Sequence, residues 1–404
     1  MKSLFLFFAV FLFSCSANPL QDAIDNAPSG ATIKLSAGVY VGNIIINRPL
    51  SIIGKEVGVV IDGNNSGTVI SINSSDVVLE NLSIINSGSR MDRLDSGIFI
   101  NSAKRCRVSQ CSITNTLYGI DMKMVEDSII EKNYISSKDL EIGLRGDGLK
   151  IWYSHNNLIK ENTIEKVRDV TLTYSNNNRV ENNTFLSNRF ATHIMLSKNN
   201  SVQKNIYRYN SVSMMLMGVQ ETKIIDNSIK SSKGAAGIGV VIKGSQQLHF
   251  ERNVVRYNAE GMFIDTKVTE EGMQRYIINN EIAYNREAIH FQAVIQNNTI
   301  IDNRFVGNID DIVKSTEGAL TRRNHVEKNY WDRYSGFDRD SDNIGDTSYK
   351  IYQHADQLWH YNHKVKFFYG APLMSMLNFL SELAPFVEPV LLLEDTKPLA
   401  YEPE

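Results

Sequence analysis

The strongest constraint on the fold is a short motif that returns again and again: apolar, polar, polar, Asn, polar, apolar. It centres on Asn81, Asn133, Asn162, Asn183, Asn205, Asn227, Asn253, Asn280, Asn298 and Asn324, with Cys111 replacing asparagine once. Several consecutive spacings are 21 or 22 residues, and the longer ones read as loop insertions. A unit this short cannot bury its own apolar face and must stack on its neighbours. The apolar alternation inside each unit has period 2, so the units are strands rather than helix pairs. The spacing therefore predicts an all-β fold, a right-handed parallel β-helix of about eleven or twelve windings, with strands roughly 4.8 Å apart. No proline falls between Pro49 and Pro372, as expected where backbone N–H groups donate to adjoining strands. The repeated asparagines read as structural: Asn tolerates a left-handed turn, and its amide can bond the next Asn in an internal ladder.

Both ends depart from this pattern. Lys2 and the apolar run at residues 4–13, followed by small residues, read as an export leader covering 1–17. Its ten apolar residues are too few to span a bilayer as a helix. A cut after Ala17 is one expectation, and a lipid anchor on Cys15 is the other. Residues 18–60 read as an N-terminal helix and first windings, 61–330 as the solenoid, and 331–350 as an acidic loop. Residues 351–404 read as a C-terminal cap, with a helix over 373–384 and an extended tail. A net charge of −3 provides no basic field for nucleic acid, which is excluded as a partner. Cys106 and Cys111 lie roughly 16 Å apart along one strand, beyond the reach of about 7 Å for a disulfide.

Stacking at 22 residues places His193 beside Met215 and Met195 beside Met217. The column of Leu149, Ile151 and Tyr153, Val170, Leu172 and Tyr174, Ile194 and Leu196, then Met214 and Leu216 is apolar and is expected to point inward. The alternate column contains Lys150 and Trp152, Thr171 and Thr173, His193 and Met195, Met215 and Met217, then Val241 and Lys243, and is expected to point outward. His193, Met195, Met215 and Met217 would then expose one imidazole and three thioethers, a donor set that favours Cu(I). The bland alternatives are hydrophobic filler and a docking surface.

Asp338, Asp340, Asp342 and Asp346 alternate as in a calcium loop, although without the twelfth-position glutamate of an EF-hand. A solvated turn with local side-chain bonds is the alternative. His354, His360 and His363 cluster near Trp359 without partner acids or thiols and read as cap packing. A polysaccharide-binding or uronate-modifying enzyme would use Asp121, Lys123 and Asp147. Tyr118-Gly119-Ile120-Asp121 resembles the start of an alginate-epimerase signature, but Met122-Lys123 follow where that family carries Pro-His.

The Asn repeat, the THIMLS and MMLMG segments, NYWDRYSGFDRDSDNIGD at 329–346 and FFYGAPLMSMLNFLSELAPF at 367–386 together resemble the NosD maturation proteins of nitrous oxide reductase. The resemblance spans essentially the whole chain after the leader. It implies a periplasmic assembly factor rather than a catalyst. Such a factor serves an ABC transporter membrane subunit with its ATPase, a copper chaperone and the reductase. On that implication the outward patch receives or relays copper, and the apolar face of 373–386 docks on the membrane subunit. One departure is clear: members often carry a further His and Met in a Tyr-Gly-Val-His-Tyr-Met-Tyr-Ser coil, where this chain has Thr171 and Thr173.

Overall fold

The computed structural model describes residues 18–265, 273–316, 321–353, 363–368, 371–383 and 389–403. The expected leader with Cys15, together with His354, Trp359, His360 and the side chain of His363, lies outside the described residues. The chain is a parallel β-solenoid whose windings stack into two thirteen-stranded sheets and one twelve-stranded sheet. Two windings precede Asn81 without carrying the asparagine motif, so a count based on that motif falls short. The N-terminal helix Pro19–Asn26 starts on Asn18, whose side chain accepts from the N–H groups of Leu20 and Gln21. It buries Leu20 and Ile24 over the open face of the first winding.

The asparagines form the expected ladder from winding to winding, and the backbone N–H of each asparagine adds a bond the sequence did not announce. Asn133, Asn162, Asn183, Asn205, Asn227, Asn253, Asn280, Asn303 and Asn329 follow one another. At Asn183, both the backbone N–H and Nδ2 donate to Asn205 Oδ1, at 2.8 and 3.0 Å, while Nδ2 also donates to Ile159 O at 2.9 Å. Both amide groups are thus satisfied inside the core, and removing one asparagine would orphan partners at a cost of about 1–3 kcal/mol. Cys111 starts the ladder, its N–H donating to Asn133 Oδ1. Both cysteines are buried and free, and burial pushes the Cys111 thiol up to about 12.

Three details differ from expectation. Asn298 and Asn324 belong to a second column, together with Asn157, Asn178 and Asn200, and a third runs through Asn188, Asn210, Asn258, Asn285 and Asn308, because the local motif recurs at three corners of the windings. Asn81 donates to Gly54 O and stands outside these ladders. The left-handed residue is the one before each ladder asparagine, including Lys132, Glu161, Lys204 and Arg252. The hydrogen-bonded corner fixes that conformation whatever residue occupies it.

At the far end, strands Tyr349–Gln353 and Val390–Asp395 pair antiparallel and bury Leu392 and Leu393 over the last winding. The tail therefore joins a sheet. The helix Pro372–Leu383 lies between these two strands in the chain, with Met374 buried and Leu373, Met376, Phe379 and Leu383 exposed.

Candidate metal-handling face

The outward column lies on the twelve-stranded sheet. Strands Leu149–Trp152, Asp169–Thr173, Phe190–Met195, Val212–Met217 and Ile238–Lys243 stack in the register expected from the 22-residue spacing. Thr171 pairs with His193, His193 with Met215, and Met195 with Met217. On the opposite face, Ile194, Met214 and Leu216 are fully buried.

Alternation fails at one position per winding. Tyr153, Tyr174 and Leu196, expected inward, are exposed, because each adopts a positive φ (46°, 50° and 48°) that ends its strand. The turned side chains form an outer ridge, with the Tyr153 and Tyr174 rings stacked 4.9 Å apart. Gly218 continues that position with φ 61°, and Gly244 follows with φ 59°. A Cβ on Gly218 would lie 2.9 Å from Leu196 Cδ2, so its missing side chain leaves the ridge open. The opening is a cavity of about 270 Å³ lined by Met195, Leu196, Met217, Gly218, Lys243, Gly244 and Asp265.

His193 and Met217 meet diagonally, with Nε2 3.4 Å from Sδ. Met195 shares the cavity with Met217, while Met215 lies beside His193 across the register. The edge of the Phe190 ring packs on the imidazole at a centroid distance of 5.3 Å. Burial lowers the His193 pKa from its ordinary value, more than the nearby Asp169 raises it. The imidazole is thus held neutral, with a lone pair available to a soft cation. Soft sulfur and neutral nitrogen fit a copper(I) ion.

The acidic loop brings together carboxylate oxygens of Asp338, Asp340 and Asp342, all within 4.8 Å of one another. Repulsion from Asp342 raises the pKa of Asp340. The Asp338 carboxylate also accepts from the N–H groups of Ser341 and Asn343. Asp346 stands apart from that trio, its carboxylate accepting from Arg339 N–H at 3.1 Å.

The residues of the carbohydrate alternative are divided. Asp121 and Lys123 line a cavity of about 310 Å³ with Lys150 and Trp152. Burial raises the pKa of Asp121, while Lys150 Nζ, 3.5 Å away, opposes the shift. Asp147 does not line that cavity. Its carboxylate accepts from Arg168 and from Thr171 Oγ, and burial pushes it up to about 6 despite the arginine.

The sequence reading missed a second cluster farther along the same sheet. Glu260, Glu287 and His290 bring two carboxylate oxygens and one imidazole nitrogen within 4.8 Å of one another. The available signal was Glu287-Ala-Ile-His290, which repeats Phe190-Ala-Thr-His193 at the same place in the winding.

Residues 134–336 match the family described as periplasmic copper-binding protein (NosD). The chain belongs to the NosD family. Its relatives include the probable ABC transporter binding protein NosD of Pseudomonas aeruginosa, 25% identical over 93% of this chain and 90% of that protein. The Stutzerimonas stutzeri protein of the same name is 24% identical over 88% of this chain and 84% of its own. NosD relatives are thus named as binding proteins. A mannuronic acid-specific polysaccharide family 6 lyase from human gut microbiota shares the fold, with a TM-score of 0.54 and 14% identity over 78% of this chain and 84% of that one. The catalytic domain of a GH87 α-1,3-glucanase also shares it, at 0.58 and 14% over 74% and 65%. Sequence kinship thus runs to NosD, while these enzymes share only the solenoid. Both the soft patch and the second cluster lie within the segment matched to NosD.

Proposed function

We propose that this chain is a periplasmic maturation factor that receives Cu(I) on its outer sheet face and relays it toward the copper sites of a nitrous oxide reductase. It works with an ABC transporter membrane subunit, the associated ATPase and a copper chaperone. The observation that carries this reading is the 3.4 Å approach of His193 Nε2 to Met217 Sδ, with Met195 beside it at an open cavity. A neutral imidazole and thioethers can exchange a soft cation without the charge neutralisation that thiolates would demand. Copper is cargo here, and no bond of a substrate is made or broken, so the role is not that of an enzyme. The exposed apolar residues of helix Pro372–Leu383 support docking on the membrane-embedded subunit.

Competition with a Cu(I) chelator under reducing conditions tests the patch. Replacing Met195, Met215 and Met217 together with leucine should weaken binding by about 100-fold or more while preserving the circular dichroism spectrum. Unchanged affinity would refute the assignment.

The reading also includes a structural Ca²⁺ at Asp338, Asp340 and Asp342, with Asp346 outside the primary trio. Calcium should raise the melting temperature of the chelator-treated chain by a few degrees, an effect lost in Asp340→Asn. Identical melting of the two proteins in calcium excludes that ion.

A further inference from the structure

We propose that Glu260, Glu287 and His290 form a second metal site, for a divalent cation of the Zn²⁺ class, independent of the copper reading. His290 follows His193 in one column of the sheet through Met215, Val241 and Phe263. Four windings separate the two imidazoles, about 19 Å at the usual strand spacing.

The cluster is a built site. His290 and Glu287 are only 4% and 3% exposed. His290 Nδ1 lies 2.6 Å from Glu287 Oε2 and 3.6 Å from Glu260 Oε2. Despite that approach, neither His290 Nδ1 nor Glu287 Oε2 makes a hydrogen bond of acceptable geometry. Buried polar atoms are almost always satisfied, so a close pair that fails to bond calls for a third participant.

The other ring nitrogen supports this. His290 Nε2 lies 2.6 Å from Ser315 Oγ, and the hydroxyl can accept its N–H. In that tautomer Nδ1 presents a lone pair to the carboxylates. Lone pair and carboxylate repel, and a cation between them converts the repulsion into ligation. Anchoring of the outer nitrogen is the usual support for a ligating imidazole. The Phe263 ring packs edge-on against His290 at 5.1 Å and keeps that side dry.

Two oxygens and one imidazole suit Zn²⁺, which accepts His and Glu ligands and leaves a coordination position open. The groups that meet are two carboxylates and an imidazole, harder donors than the thioethers that favour Cu(I). Calcium would need six to eight oxygen ligands, which two carboxylates do not supply.

Titration of the metal-free mature chain with Zn²⁺ alone tests the site. The wild-type chain should bind, Glu287→Gln and His290→Asn should each lose more than about 100-fold, and Ser315→Ala roughly 10- to 100-fold. The triple methionine-to-leucine variant should bind Zn²⁺ as wild type does. No Zn²⁺ binding by the wild-type chain overturns the proposal. Unchanged affinity in both Glu287→Gln and His290→Asn also overturns it. Should those variants fail to fold, X-ray absorption of the Zn²⁺-loaded wild-type chain decides. A nitrogen and oxygen shell with an imidazole signature supports the site, and a sulfur shell rejects it.

Discussion

The windings around His193 and those around His290 present the same backbone with opposite chemistry. In each, a histidine follows three residues after a side chain that touches it: Phe190 in the first, Glu287 in the second. The first histidine meets sulfur from the next winding, and the second meets oxygen from its own winding and the one before. Val241 and Phe263 separate them with two apolar steps in the column. One strand position therefore presents softer or harder donors according to the residue three places earlier and the neighbours across the register.

The most decisive way to break this comparison is to exchange the distinguishing residue. Phe190→Glu should give the His193 winding a new Zn²⁺ equivalent, with affinity raised by roughly 10- to 100-fold, and should weaken Cu(I) retention. Calorimetry with each ion would show this. If the variant folds and gains no Zn²⁺, the preceding residue is not what separates the two sites.

A smaller effect comes from pH. The depressed His193 pKa keeps its imidazole neutral in the fold below the value of 6.5 at which it would ordinarily charge. Cu(I) affinity should therefore stay level from about pH 8 down to that point and decline only below it. The stability sign is the same. Above 6.5 neither state is charged, and as pH falls below it the unfolded chain takes up the proton first, so folding weakens. His193→Asn should remove both slopes, as chelator competition and thermal melts across pH would reveal. A decline in affinity already complete above 6.5 would contradict the desolvated setting.

Much of the soft region was legible because it depends on two regularities, the spacing of windings and the alternation of faces. Together they correctly paired His193 with Met215, Met195 with Met217, and sent Met214 inward. Alternation could not foresee Tyr153, Tyr174 and Leu196 outside, since a single left-handed residue resets the side-chain direction. The same limit hid the Glu260 cluster. Residues three apart on a regular strand face opposite ways, yet here Ala288 and Ile289 are both buried, so alternation breaks between Glu287 and His290 and the two meet. Asn298 and Asn324 were misplaced for a different reason: successive corners carry the same local pattern five residues apart, as at Asn298, Asn303 and Asn308. The acids of the candidate calcium loop were visible from spacing alone, but whether Asp346 joins the others depends on how Arg339 bends the turn.

The main ladder ends on Asp395, whose Oδ2 accepts from Asn329 N–H, Asn329 Nδ2 and Trp331 Nε1. A chain that folds from its amino end could lay down each earlier rung as soon as the next winding formed. The terminal rung must wait for an acid 66 positions downstream. Until those last residues arrive, the amide of Asn329 and the indole of Trp331 lack their shared acceptor, which makes arrival of the C-terminal strand the event that completes the ladder.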